Sequence, residues 1–335
     1  MTRLVLHIGG YRTGSTAIQT SLFESRRLLR SHGILYPSAG LHTVAHHHIG
    51  LAANGRDIPG WCDAAVFDDL VDDLMAETRN ARCDAVIVST ESLMDSVDRA
   101  ADDAVGRRLD RLLSLFSSVD VLCCVRHQAP LLESLYRFQA MWPVTAVTLP
   151  FPDFVHEWML RPHLTYTSIG RFFRALRPDV RVRYWSFSEA VGADAVVRRF
   201  HEAAGIEEAY HGERRMHESR SREATLALLE WNRSRIGGKR GRKAFQTWAT
   251  AAFPEAGRSL FDADLLRTVN DRFQASNALL EMEAGIRFLD TPTASTAADT
   301  FAGHVLQPDD LDRVRSRLHA RRWPWPLGRF PRRSW

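Results

Sequence analysis

Arg3-Leu4-Val5-Leu6-His7-Ile8-Gly9-Gly10-Tyr11-Arg12-Thr13-Gly14-Ser15-Thr16 is a short apolar run that ends in a glycine-rich turn. A helix-forming stretch, Ala17-Ile18-Gln19-Thr20-Ser21-Leu22-Phe23, follows at once. Backbone N–H groups at a helix N-terminus, with the positive end of the dipole behind them, form an anion cradle. Gly9 and Gly14 have the spacing of the nucleotide-binding loop G-x-x-x-x-G-K-[ST]. The misfit is informative, because Ser15 stands where that loop has lysine and the cation sits ahead of the second glycine, at Arg12. The expected anion-binding turn is Gly10, Tyr11, Arg12, Thr13, Gly14, Ser15 and Thr16.

Four runs read as strands: residues 4–8, 85–90, 119–125 and 180–187. The first three are almost continuously apolar, as in a parallel sheet covered on both faces. Amphipathic helices are expected between them. In 63–79, Val66, Leu70 and Leu74 recur at four-residue steps, flanked by Phe67, Val71 and Met75. In 102–118, Val105, Leu109, Leu112, Leu113 and Phe116 form a second stripe. Alternating strand and helix predicts an α/β fold, a parallel sheet flanked by helices. The C-terminal half reads as helix-rich, with helices at 193–204, 222–236 and 263–282. Residues 236–243 read as a basic, glycine-rich loop that could receive an anionic acceptor. A linker at 291–300, a short helix at 309–321 and a Trp/Pro/Arg-rich tail complete the chain, so the α/β unit is expected over 1–290 and the tail over 291–335.

The 335 residues are 45% hydrophobic and carry a formal charge of +4, enough for a sizeable core without metal or disulfide staples. No nucleic-acid module signature appears, so nucleic acid is not an expected partner. The four cysteines, Cys62, Cys83, Cys123 and Cys124, form no C-x-x-C and no His/Cys cluster with zinc spacing. No metal ligands are therefore assigned. No apolar run is long enough to span a bilayer, and the N-terminal run is too short for a signal peptide, which reads as cytoplasmic.

The third strand ends in Arg126-His127-Gln128-Ala129-Pro130, and a helix with Ser134 and Tyr136 follows. Arg126 would stand at the carboxyl edge of the sheet, where open α/β sheets bind ligands. An arginine fork and a hydroxyl can hold one phosphate from two directions. The competing reading is an ordinary strand end with a surface arginine and a helix serine.

The pair of motifs resembles the sulfotransferases that use 3′-phosphoadenosine 5′-phosphosulfate (PAPS). Their 5′-phosphosulfate loop K-[ST]-G-[ST]-T is similar to Arg12-Thr13-Gly14-Ser15-Thr16. Their 3′-phosphate element R-x-P-x-x-x-x-x-S-x-Y is similar to Arg126 through Ser134 and Tyr136, with Pro130 falling two residues late. The opening L-H-I-G-x-x-[KR]-T-G-[ST]-T-x-I-Q looks like a bacterial branch, as does the stretch 262–280 with Phe273 and Asn277.

The resemblance implies a P-loop-like three-layer fold, metal-independent PAPS binding and release of 3′-phosphoadenosine 5′-phosphate (PAP). Ser219 and Arg220 would add nucleotide contacts. Arg12 would keep the electrostatic role of the family's lysine, but arginine is a poor proton donor. The acceptor would be a hydroxyl or amine of a carbohydrate, glycolipid or small metabolite, and it needs a general base. Glu91, directly after the second apolar run, is one candidate. His47 or His48, from the run His46-His47-His48, is the other; on a helix three adjacent rings fan across about 200°, so one would face inward. Two alternatives remain: a P-loop kinase, and a nucleotide-binding scaffold with a degenerate site. The Trp/Arg tail suits packing onto the domain or a partner chain, or a peripheral membrane contact.

Overall fold

The structure, a computed structural model, describes residues 2–142, 144–189, 195–209, 221–234, 239–252 and 259–289. The N-terminal elements are β1 (Arg3–His7), α1 (Ser15–Glu24), α2 (Arg26–Ser31), β2 (Ile34–Leu35), α3 (His47–Ala53), α4 (Phe67–Ala81) and β3 (Ala85–Ser89). A 3-10 turn (Glu91–Met94) leads into α5 (Asp95–Asp98), α6 (Asp103–Ser114), β4 (Ser118–Val125) and α7 (Gln128–Met141). The rest comprises α8 (Phe151–Met159), α9 (Thr167–Leu176), β5 (Arg181–Ser186), α10 (Ala195–Ala204), α11 (Arg222–Ser234), α12 (Lys239–Ala252) and α13 (Ala263–Ala284).

The five strands form one all-parallel sheet in the order β2-β3-β1-β4-β5. Strand side chains alternate between its two faces, because the side-chain period is two. Leu4, Leu6, Val86, Val88, Val119 and Val121 enter a core with α3, α4, α6 and α9. Val5, Ile87, Leu122 and Cys124 enter a second core with α1, α2 and α10 on the opposite face. A third core joins α7 and α8 to α11, α12 and α13, which gives the chain its helix-rich C-terminal part.

The chain runs from β1 out to β2, back to β3 beside β1, and then to β4 on β1's other flank. The chain therefore reverses direction across the sheet at β1, the place where the carboxyl edge opens a ligand crevice. β1 and β4 are hydrogen-bonded neighbours, with His7 opposite Leu122. The turns after them are thereby forced side by side.

Several sequence expectations shift. The four expected strands are present within one residue or two, and the two-residue β2 adds a fifth. In α4 the buried residues are Phe67, Val71, Leu74 and Thr78; Val66 is the N-cap residue and is exposed. Phe67 and Val71 lie four positions apart and Leu74 three further on, so the core-facing stripe is offset by one residue from the expected one. Lys239 to Lys243 open α12 rather than sitting in a loop. Arg242 is buried there, and its guanidinium donates to Asn232 Oδ1 (2.6 Å) and to the Ala140 carbonyl (2.9 Å), so it fastens helices rather than meeting an acceptor. The proposed 290/291 boundary, the 309–321 helix, the tail, and the site candidates Ser219 and Arg220 lie outside the described residues. No helix among the described residues is long and apolar enough to cross a membrane.

Candidate functional site

The turn after β1 closes on itself. Thr13 Oγ1 donates to the Gly10 carbonyl (2.6 Å) and accepts from the Gly10 N–H (3.1 Å). Ser15 Oγ donates to the same carbonyl (3.2 Å). Thr13 and Ser15, read from sequence as hydroxyl donors to a ligand, thus brace the turn in this structure. Thr16 is exposed at the first turn of α1. Neither Ser15 nor Thr16 caps that helix; Gly14 does, in the left-handed conformation at φ 86°. The Ala17 N–H already bonds to the Gly14 carbonyl (2.9 Å), so only the Ser15 and Thr16 amides at the start of α1 are left for an incoming acceptor.

Arg12 also has left-handed backbone, at φ 60°. Such a conformation in a non-glycine residue marks strain held by its surroundings, and it is found at ligand clamps. Gly10 is required on other grounds: a Cβ there would lie 2.3 Å from the carbonyl oxygen of Cys124 on β4. The turn after β1 therefore rests directly against the neighbouring strand.

Tyr11 is placed otherwise than expected. Its hydroxyl donates to Asp95 Oδ1 (2.7 Å) and its ring packs edge-on to Trp158 and His163. Burial, and then the Asp95 carboxylate, push its pKa well above the ordinary tyrosine value. Its side chain is a strut that ties the turn to Asp95 and to the Trp158 and His163 rings.

Arg126 leaves β4 at Val125 and enters α7 through His127. Its guanidinium lies over the Phe187 ring, 5.0 Å from the centroid. The helix begins at Gln128, so Ser134 lies almost two turns in; Pro130 falls in the first turn, where no N–H is missed. Arg12 Nε donates to Ser134 Oγ at 3.1 Å, and the Arg12 guanidinium sits over Phe138 at 5.1 Å. Burial and then the neighbouring charge of Arg126 hold the Arg12 pKa below its ordinary value. Two cations and one hydroxyl from the two motifs are thus brought together. Two guanidiniums forced together repel each other, and an anion between them relieves that repulsion.

Gln128 and Asn277, at the start of α7 and in α13, exchange two amide hydrogen bonds of 2.9 and 2.7 Å. Gln128 Nε2 also donates to the Leu164 carbonyl (2.9 Å). These contacts hold the Arg126-bearing turn to the helical part. Tyr136, by contrast, is core: its hydroxyl donates to the Leu149 carbonyl (2.7 Å) and its ring packs on Phe151 and Phe154.

On the other flank of β1, Glu91 begins the 3-10 turn after β3. Its Oε2 accepts from Gln19 Nε2 of α1 (2.8 Å). Its carboxylate acts on Tyr11, Tyr36 and His47. The histidine run does not fan from a single helix, because α3 starts at His47. His46 is the N-cap residue: its Nδ1 accepts from the Ser89 N–H (3.1 Å), which leaves Nε2 to donate to the Pro37 carbonyl (3.1 Å). Burial lowers its pKa to about 4. His47 is buried, and its Nδ1 has no hydrogen-bond partner. Burial lowers its pKa, while the Glu91 carboxylate pulls the other way. His48 turns to a different loop, with Nδ1 3.5 Å from Cys62 Sγ.

One buried residue near the turn escaped the sequence reading. His7, on β1, bonds through Nδ1 to Ser89 Oγ (2.7 Å) and stacks on Trp185. Its pKa is lowered to about 3 by burial. The alternation of a strand flanked by apolar residues hides such a histidine, because it reads as one more inward position.

No protein-family model, no curated protein and no solved structure matches this chain.

Proposed function

We propose that this chain is a PAPS-dependent sulfotransferase, acting on a hydroxyl or amine of a carbohydrate, glycolipid or small metabolite. The observation that carries the reading is the Arg12–Ser134 hydrogen bond, with Arg126 close enough to act on Arg12, between turns that leave adjacent parallel strands. The order β2-β3-β1-β4-β5 with cores on both faces supports the finer reading of a P-loop-like three-layer architecture.

The residues present fit a doubly anionic nucleotide. A Cβ at Gly10 or Gly14 would collide with the Cys124 carbonyl or the Val196 side chain, so glycine at both positions lets the turn pack closely and keep its shape. Arg12 and the first-turn amides of α1 would hold the 5′ anion, and Arg126 with Ser134 the 3′-phosphate. When bound, PAPS supplies an activated sulfuryl group. Arg12 remains charged throughout and stabilises negative charge at its fork without donating a proton.

His47 is the group best suited to take the acceptor's proton. Burial keeps its ring neutral, so an imidazole nitrogen retains a lone pair, and the nearby Glu91 carboxylate stabilises the ring once protonated. Glu91, held by Gln19, is then a positioning and electrostatic partner; direct proton acceptance by Glu91 is the alternative.

The donor set speaks against the kinase reading. The turn lacks the lysine, and β3 and β4 run into Thr90-Glu91 and Arg126 without an aspartate for Mg²⁺.

Calorimetry with PAP and with ATP–Mg²⁺ tests this. Metal-free PAP is expected to bind and ATP–Mg²⁺ to bind far more weakly; the reverse order would overturn the reading. In a sulfuryl-transfer assay, His47→Ala is expected to abolish turnover while leaving PAP affinity within about twofold, since it touches no nucleotide grip. Glu91→Gln is expected to lower kcat less than His47→Ala does; the opposite ranking would make Glu91 the base. PAP binding without turnover on any acceptor would leave the degenerate scaffold.

A further inference from the structure

The structure brings His42, His48 and Cys62 together, three residues that sequence spacing does not connect. One donor atom from each lies within 4.8 Å of the others. We propose that they form a zinc site with two imidazoles, one thiolate and an open fourth position.

The geometry is close to what the metal needs. Tetrahedral zinc, with Zn–S near 2.3 Å and Zn–N near 2.05 Å, separates a sulfur from a nitrogen by about 3.5 Å. Cys62 Sγ and His48 Nδ1 are 3.5 Å apart. The wider edges close by rotation about the side-chain bonds of His42, which is half-buried.

Each donor sits on a short segment already fixed by backbone hydrogen bonds. His42 pairs with Ala45 in a two-way bridge (2.8 and 3.3 Å), and Cys62 pairs with Ile58 in another (2.8 and 2.9 Å). The His48 N–H, at the start of α3, bonds to the Gly40 carbonyl (3.2 Å). Among the described residues, the only side-chain hydrogen bond of these three runs between Cys62 and His48, and the His42 ring makes ring contacts with His47, His48 and Trp61. Cys62 is 1% exposed, while the two rings reach the surface, so an ion has a way in. Asp57 and Asp63 are near enough to act on Cys62, and their charge favours a cation.

A second cluster shows what a merely structural group looks like. Asp95, Asp98 and His163 also converge, but their donors are already engaged. Asp95 takes Tyr11 and Arg56, and Asp98 takes the His163 ring and its N–H. The 42/48/62 group has no such prior commitments.

The position gives the site a consequence. His47 is adjacent to His48, and its ring lies 4.8 Å from that of Trp61, the neighbour of Cys62. A zinc ion would tie the loop before α3 to the loop before α4, behind the wall that carries His47. Two imidazoles and one thiolate make a soft donor set suited to zinc, and three protein ligands leave a position for water.

The full-length chain, stripped of metal and refilled with Co²⁺, reports on this directly. Wild type is expected to bind one equivalent and to show both thiolate-to-cobalt charge transfer and the intense d–d absorption of tetrahedral cobalt. Cys62→Ser should remove the charge-transfer band, and His42→Gln should weaken Zn²⁺ binding by more than about a hundredfold, exceeding the cost of losing an outer-shell partner. Cys83→Ser, elsewhere in the core, should leave both signals intact. Absence of the charge-transfer band in folded wild type overturns the site without recourse to any variant, as does its persistence in Cys62→Ser. Protection of Cys62 from alkylation by Zn²⁺ in wild type is a further expected result, and equal alkylation with and without the ion counts against the site. Nucleotide calorimetry is a separate readout, so failure here leaves the sulfotransferase reading standing, and the converse.

Discussion

The turn after β1 and the turn after β4 meet at one edge of the sheet and are built by opposite means. The first is a backbone device: glycine at position 10 lets it press on β4, the Thr13 and Ser15 hydroxyls are bonded to its own Gly10 carbonyl, and left-handed backbone at Arg12 and Gly14 fixes its shape. The second is a side-chain device. Arg126 comes straight off a strand and Ser134 off a helix, and their backbones are ordinary. Anion recognition by main-chain amides tolerates little change in backbone shape, whereas recognition by a guanidinium rests on the charge and planar fork of one side chain.

The largest expected effect strikes the backbone device through pH. His7 beneath the turn and His46 beside β3 are neutral in the fold, with pKa values of about 3 and about 4. Unfolded histidine titrates near 6.5, so between that value and the folded ones the unfolded chain binds more protons. Stability is full above about pH 6.5 and is lost as pH falls towards about 4, by roughly 3 kcal/mol for His46 alone and at least as much for His7. Urea midpoints measured from pH 7.5 to 4.5 check this, and His46→Gln should flatten the profile. A level profile in wild type would mean that these rings are not buried neutral.

Next in size is Gly10→Ala. A methyl group 2.3 Å from the Cys124 carbonyl must push the turn away from β4. A loss of about 3 kcal/mol in stability, with PAP binding abolished, is expected from thermal unfolding and calorimetry. Unchanged binding would show that the turn is not set by contact with β4.

Arg126→Ala tests the other device. It should leave Tm nearly unchanged and weaken PAP by about 2–3 kcal/mol, the worth of a charge-assisted hydrogen bond lost to a phosphate. Adenosine 5′-phosphate, which lacks the 3′ group, should lose much less. Equal losses for both nucleotides would place Arg126 at the 5′ end. The smallest effect belongs to Ser134→Ala, which removes the Arg12 contact; about 1 kcal/mol of PAP affinity is expected.

Legibility followed the same division. The strands could be read because apolar runs bounded by turn residues are local signals, and two motifs placed after strands land on one edge of any parallel sheet. That logic located Arg12, Arg126 and Ser134 together. β2 was missed because two residues, Ile34 and Leu35, carry no periodicity. The inward bonds of Thr13 and Ser15 were not legible, since they follow from the left-handed backbone at Arg12 and Gly14. Nor was the meeting of His42, His48 and Cys62, which come from two separate loops and the first turn of α3. The histidine run showed that something faced inward, but only the start of α3 at His47 separates the three rings into a strut for β3, a candidate proton acceptor and a neighbour of Cys62.

The crossed amides of Gln128 and Asn277 restrict how this chain can vary over generations. Each supplies what the other lacks, and both side chains are buried. A change at one alone strands a donor or acceptor at a cost of about 1–3 kcal/mol, whereas trading both for matched apolar groups is close to neutral. Descendant sequences should therefore alter positions 128 and 277 jointly or leave both untouched, a linked inheritance between residues far apart in the chain.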